Sequence, residues 1–203
     1  MPHRTASGFN RPRLRQSSRR HLILATGVGV VALAILPAIL LAEETPCRGK
    51  LGDVTVDNLR VPDGARCTLD GTRVKGTIKI ESQASLDARG VRVVGNVQAE
   101  NARQVSLSQS SRVGGSVQIK QGGSASVLRS HVQGDIQYDA NNSSLRANDN
   151  RVGGNIQVIG NKGRAEIYRN TVDGNLQCKE NSPRPVGGGN KVRGNKEDQC
   201  SAF

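Results

Sequence analysis

Residues 152–158 read VGGNIQV, and variants of this phrase recur along the chain. They are VKGTIKI at 74–80, VVGNVQA at 93–99, VGGSVQI at 113–119, VQGDIQY at 132–138, VDGNLQC at 172–178 and VRGNKED at 192–198. The shared glycines are Gly76, Gly95, Gly115, Gly134, Gly154, Gly174 and Gly194, spaced 19, 20, 19, 20, 20 and 20 residues apart. A constant period of this length marks a solenoid, in which each repeat buries its apolar face only against its neighbours.

Alternation inside the repeat decides between strand and helix. After each glycine, apolar residues fall two apart: Ile78/Ile80, Val97/Ala99, Val117/Ile119, Ile136/Tyr138, Ile156/Val158 and Leu176/Cys178. A second pair precedes the glycine by nine and seven positions, as in Cys67/Leu69, Leu86/Ala88, Ala125/Val127, Leu145/Ala147 and Ala165/Ile167. Period-two runs separated by Gly, Asn and Ser predict short half-buried strands joined by turns. The fold expected is all-β: a single-stranded parallel β-helix, or β-solenoid, right-handed, with about 20 residues per coil. Seven coils at about 4.8 Å each would make a rod about 30–35 Å long.

The composition agrees. Of 203 residues, 24 are glycine, none is tryptophan, and only two are tyrosine and two phenylalanine. Stacked identical positions build aliphatic ladders without large aromatics. The same scarcity excludes recognition of bases or sugars by aromatic stacking. The repeat glycines are expected in turns where a side chain would clash or φ is positive. The residue after each glycine (Thr77, Asn96, Ser116, Asp135, Asn155, Asn175, Asn195) is placed to bond nearby backbone or its own copies. Gln98, Gln118, Gln137, Gln157 and Gln177 lie between inward positions, and should form an outward amide ladder.

The formal charge of +12 divides unevenly. Residues 1–21 carry six arginines (Arg4, Arg11, Arg13, Arg15, Arg19, Arg20) and no acid. Residues 22–42 carry no charge and are long enough, at about 30 Å, to cross a bilayer as a helix. A basic flank before an apolar run orients the N-terminus to the cytoplasm. Residues 22–42 are therefore read as a transmembrane signal anchor or a signal peptide, and 43–203 as a β-helix domain outside the cytoplasm, tethered to the membrane or secreted. Arg19-Arg20 resembles a twin-arginine signal, and Ala42 offers a cleavage point, but Leu40 fills the position where a small residue is wanted. With the tail explained by orientation, nucleic acid is not expected as a partner.

Four cysteines, Cys47, Cys67, Cys178 and Cys200, lie 20 and 22 residues apart within pairs. One coil of separation stacks the members of each pair within disulfide reach. Cys47–Cys67 and Cys178–Cys200 are therefore expected as staples at the two ends of the rod, consistent with an oxidising compartment. Zinc is disfavoured, because there is no CxxC and no histidine nearby.

The C-terminal run GNLQCKENSPRPVGGGNKVRGNKEDQC, with VGGSVQIKQGG and VGGNIQV, resembles exported bacterial β-helix repeat proteins of uncharacterised function, over about residues 47–200. More distantly, the stacked plan is similar to bactofilins, which implies a capacity for end-to-end self-association. Bactofilins are not disulfide proteins, and the first family implies no activity to carry over.

No catalytic set is evident. The histidines are His3, His21 and His131, too scattered for a metal or base cluster, and no phosphate loop, nucleophile elbow or cofactor motif occurs. Asp135, Asp139 and Asp149 are the nearest to a carboxylate set for a carbohydrate-active β-helix lyase or hydrolase, the alternative to a non-enzymatic envelope module. One further pattern stands out. Three positions before the repeat glycines come Arg73, Arg92, Arg112, His131, Arg151, Thr171 and Lys191. Stacking would align them as a basic stripe suited to an anionic envelope polymer, lipid headgroups or an acidic protein.

Overall fold

The computed structural model describes residues 43–203; the expected basic tail (1–21) and membrane segment (22–42) lie outside the described residues. From residue 43 onward the chain is a parallel β-solenoid of about 20 residues per coil, built as three sheets of nine, eight and eight strands. One coil runs Ile136–Asp139 in sheet 1, Leu145–Asn148 in sheet 2 and Arg151–Val152 in sheet 3. The next repeats this with Ile156–Ile159, Ala165–Tyr168 and Thr171–Val172. Registers are exact copies from coil to coil, as in Ile136↔Ile156, Leu145↔Ala165 and Val152↔Val172.

Sheets 1 and 2 carry the two alternating pairs read from the sequence. Sheet 3 was not anticipated as a strand: its members are two residues long, and the valine of each V-x-G points inward to close a triangular coil. The interior is a set of columns such as Leu59–Ile78–Val97–Val117–Ile136–Ile156–Leu176, all buried. Among the described residues Tyr138 is the one aromatic ring fully inside; its hydroxyl donates to Arg146 O at 2.7 Å, and burial pushes the phenol pKa well up.

Seven coils carry the repeat glycine, and a further coil without it precedes them. Val56 pairs with Val74 and Leu59 with Ile78, so the first turn is one residue shorter. The residue it lacks is the glycine. None of the seven repeat glycines has a left-handed φ; close approach is what requires them. A Cβ at Gly115 would overlap Asn96 Oδ1 and sit 2.9 Å from Gly95 O, and the other six meet the equivalent oxygens. Those oxygens belong to the residue after the preceding repeat glycine, or for Gly76 to Asn58, each accepting a backbone N–H from the next coil. The ladder runs unbroken from Asn58 through Thr77, Asn96, Ser116, Asp135, Asn155 and Asn175 to the N–H of Asn195. The outward amide ladder is present over Gln98–Gln118–Gln137–Gln157, with each bond 3.0 Å, whereas Gln177 donates to Asp198 Oδ2 at 3.4 Å.

The other two corners turn through left-handed residues in every coil after the first. Between sheets 1 and 2 these include Gln83, Asn101, Gln121, Ala140 and Gly160; between sheets 2 and 3, Gly90, Arg129, Asp149 and Arg169. The residue that follows points inward. In the later coils that residue is asparagine, forming the buried columns Asn141–Asn161–Asn181 and Asn150–Asn170–Asn190. Among the described residues, no buried side-chain nitrogen or oxygen lacks a partner.

Both end staples form as the spacing implied, Cys47–Cys67 with Cα atoms 5.5 Å apart and Cys178–Cys200 at 5.2 Å. Beyond the last full coil, Gln199 accepts the Asn181 N–H at 3.0 Å and ends the asparagine column. Phe203 then packs where Gly187 leaves a gap, its Cε2 2.8 Å from where a Gly187 Cβ would lie.

Candidate functional site

Because the sheet 3 valines face inward, the residues on either side of each valine face solvent. The column on its N-terminal side is Thr55, Arg73, Arg92, Arg112, His131, Arg151, Thr171 and Lys191, paired in register throughout. The seven positions singled out from the sequence are therefore brought into one line, at about 4.8 Å per coil. All are exposed except the half-buried Thr171.

Neighbouring charges divide this line. Arg73 pairs with Asp53 at 3.9 Å. Among the described residues, Arg92, Arg112, His131, Arg151 and Lys191 have no ion pair. Like charges this close repel, and each adds a field that attracts an anion from outside.

A parallel column on the other side of the valines went unremarked in the sequence: Lys75, Val94, Gly114, Gln133, Gly153, Asp173 and Arg193, all exposed. Extending period-two alternation past the valine would have found it. Lys75 is paired to Asp57 at 2.9 Å. Acids thus occur on this face at its ends, Asp53 and Asp57 in the first coil and Asp173 late. The four coils from Arg92 to Gly153 place none in either column. Val94 is 64% exposed, a large apolar side chain standing among cations. Gly114 is required by the backbone, since a Cβ there would collide with Val94 O. The missing side chain leaves a shallow depression lined by Arg92, Val94, Arg112, His131 and Gln133.

The three candidate carboxylates are not brought together as a set. Asp135 belongs to the corner ladder, its Oδ1 accepting the Asn155 N–H and Nδ2. Asp139 ends a strand of sheet 1. Asp149 stands at the corner between sheets 2 and 3, where the Arg169 guanidinium donates to it at 2.6 and 2.8 Å and holds its carboxyl below the usual carboxylate range. Of the three histidines only His131 is among the described residues, which contain no group of three or more His, Cys, Asp or Glu placed to hold a metal ion. The two disulfides fit an oxidising, extracytoplasmic environment. Compared with protein-family models, curated proteins and solved structures, the chain matches none of them.

Proposed function

We propose that the chain is a non-enzymatic, extracytoplasmic β-solenoid that serves as a rigid interaction module of the cell envelope, binding an anionic polymer along the outer face of sheet 3. The observation that carries this reading is the in-register line Arg92–Arg112–His131–Arg151 without carboxylate partners among the described residues. Sequence drift relieves stacked like charges when nothing offsets them, and a bound polyanion offsets them all at once. Rigidity supports the role: parallel pairing and three kinds of side-chain ladder hold the cations at a fixed pitch, so little order is lost on binding.

The test compares the full chain with a variant carrying Arg92→Glu, Arg112→Glu and Arg151→Glu, on immobilised anionic envelope polymer and on heparin. The parent chain is expected to be retained and released by salt, with the variant eluting at much lower salt. Equal retention of the two proteins would remove the basis for this reading.

A further inference from the structure

We infer that the ligand of sheet 3 is a single acidic glycan strand lying along the rod axis, held over the four coils from Arg92 to Gly153 and recognised sugar by sugar. This rests on the reading above and adds the ligand class, its direction and its length.

Direction follows from the two columns. Cations repeat along the axis at about 4.8 Å, whereas across the face each coil offers only one outward pair. A chain crossing the coils would meet one of these side chains, and a chain following the axis meets three arginines and a histidine. Length follows from the acids. Asp53 and Asp57 close the line at the first coil, and Asp173 closes it after Gly153. The open window is about 14 Å from its first cation to its last, room for about four units of an extended polymer.

The class follows from what stands beside the cations. Arginine pairs with carboxylate through two parallel bonds, which suits a hexuronate unit with one charge per sugar. The second column is uncharged within the window. Val94 offers an apolar surface to the C–H face of a sugar ring, and Gln133 offers an amide to its hydroxyls. Gly114 leaves the depression in which one such unit seats between Arg92, Arg112 and His131. A polyphosphate has no use for the valine. A membrane surface would engage the acids at both ends of the face as well as the cations between them.

The experiment titrates the full chain with oligogalacturonates of two to eight units, with their methyl esters and with polyphosphate of matched charge. Affinity should tighten by about two- to five-fold per added sugar, the increment of one exposed ion pair, and level off at about four units. Methyl esters should not bind, and polyphosphate should bind more weakly than the uronate of equal charge. Arg112→Glu should weaken the tetramer at least about ten-fold, and Arg193→Glu, outside the window on the same face, should leave it unchanged. Val94→Asp should weaken the tetramer. Affinity that climbs with charge without a plateau, or polyphosphate binding as tightly as uronate, would overturn the glycan-strand inference while leaving sheet 3 a polyanion face. Loss of binding to every polyanion, with the sheet 3 reversals inert on heparin, would overturn both.

Discussion

The early and late coils make the same corners with different interiors. At the corner between sheets 1 and 2, the inward residue is Ala65, Ala84 and Ala102 in the early coils and Asn141, Asn161 and Asn181 in the late ones. Between sheets 2 and 3, it passes from Thr72, Val91, Ser111 and Ser130 to Asn150, Asn170 and Asn190. The backbone barely registers the change, since a left-handed residue precedes most of these positions in both halves. What changes is how the corner is held. A small apolar side chain such as Ala84 fills space and asks nothing of its copies, and Thr72, Ser111 and Ser130 bond only to backbone. Each late asparagine instead accepts an N–H from the coil before it and donates its amide to a carbonyl behind it, and all but the last of each column donate to the next asparagine as well. Buried amides are affordable only when every member is satisfied, so the late half depends on an unbroken chain of partners.

That difference gives the largest expected effect. Asn161→Ala removes the acceptor of the Asn141 N–H and the donor to Tyr138 O and Asn181 Oδ1. At about 1–3 kcal/mol for each buried group left unpaired, the loss should reach about 3–5 kcal/mol in denaturant unfolding. Ala84→Gly, at the same corner of an early coil, removes one buried carbon and should cost about 1 kcal/mol. Equal losses would erase the distinction between the halves.

The third corner supplies the control, because its glycine and oxygen ladder run through both halves alike. Gly115→Ala would press a Cβ onto Asn96 Oδ1, and Gly154→Ala would press one as closely onto Asp135 Oδ1. Each should cost about 1–3 kcal/mol by overpacking, and by the same amount early and late. A clear inequality, measured by the same unfolding transitions, would mean that the halves differ in more than their asparagines.

The smallest effect lies at the late corner surface. Asp149 is bonded to Arg169, which lowers its folded pKa below the unfolded value. Its contribution is therefore present above the unfolded pKa and is lost as pH falls through the folded one. Acid unfolding of Asp149→Asn should begin at a slightly altered pH, and added salt should erase the difference, because the pair is exposed. An acid midpoint unmoved at low salt would show that the pair adds nothing.

Much of this was legible in advance, and the failures have particular causes. Glycine spacing set the coil, and alternation set sheets 1 and 2. Sheet 3 escaped because two residues such as Arg151–Val152 are too few to display a period. The coil holding Val105 and Leu107 broke the spacing of its neighbours, since two successive left-handed residues, Gln109 and Ser110, widen its turn. The left-handed corners were hidden because Gln83, Gln121 and Arg169 are not residues that announce such a backbone. The asparagine columns did show a 20-residue spacing, at 141, 161 and 181 and at 150, 170 and 190. Asparagine between strands reads as a solvated turn, and only the closed coil reveals that it faces inward. At the candidate site, stacking made the basic line legible from spacing alone. Its limits were not, because Asp53 and Asp57 reach Arg73 and Lys75 across the gap between coils.

The end staples have a mechanical consequence. Tension entering the domain at residue 43 reaches Cys47 and passes through the sulfur bridge to Cys67, so the residues between them carry no load. At the far end the Cys178–Cys200 bridge shunts force past residues 179–199 in the same way. A pull along the chain is thus delivered to the middle coils, which would peel from one another in sequence, while the end coils keep their folded loops. Arg92, Arg112, His131 and Arg151 of sheet 3 lie on those load-bearing coils, so stretching the rod and emptying this part of its basic face would be one event.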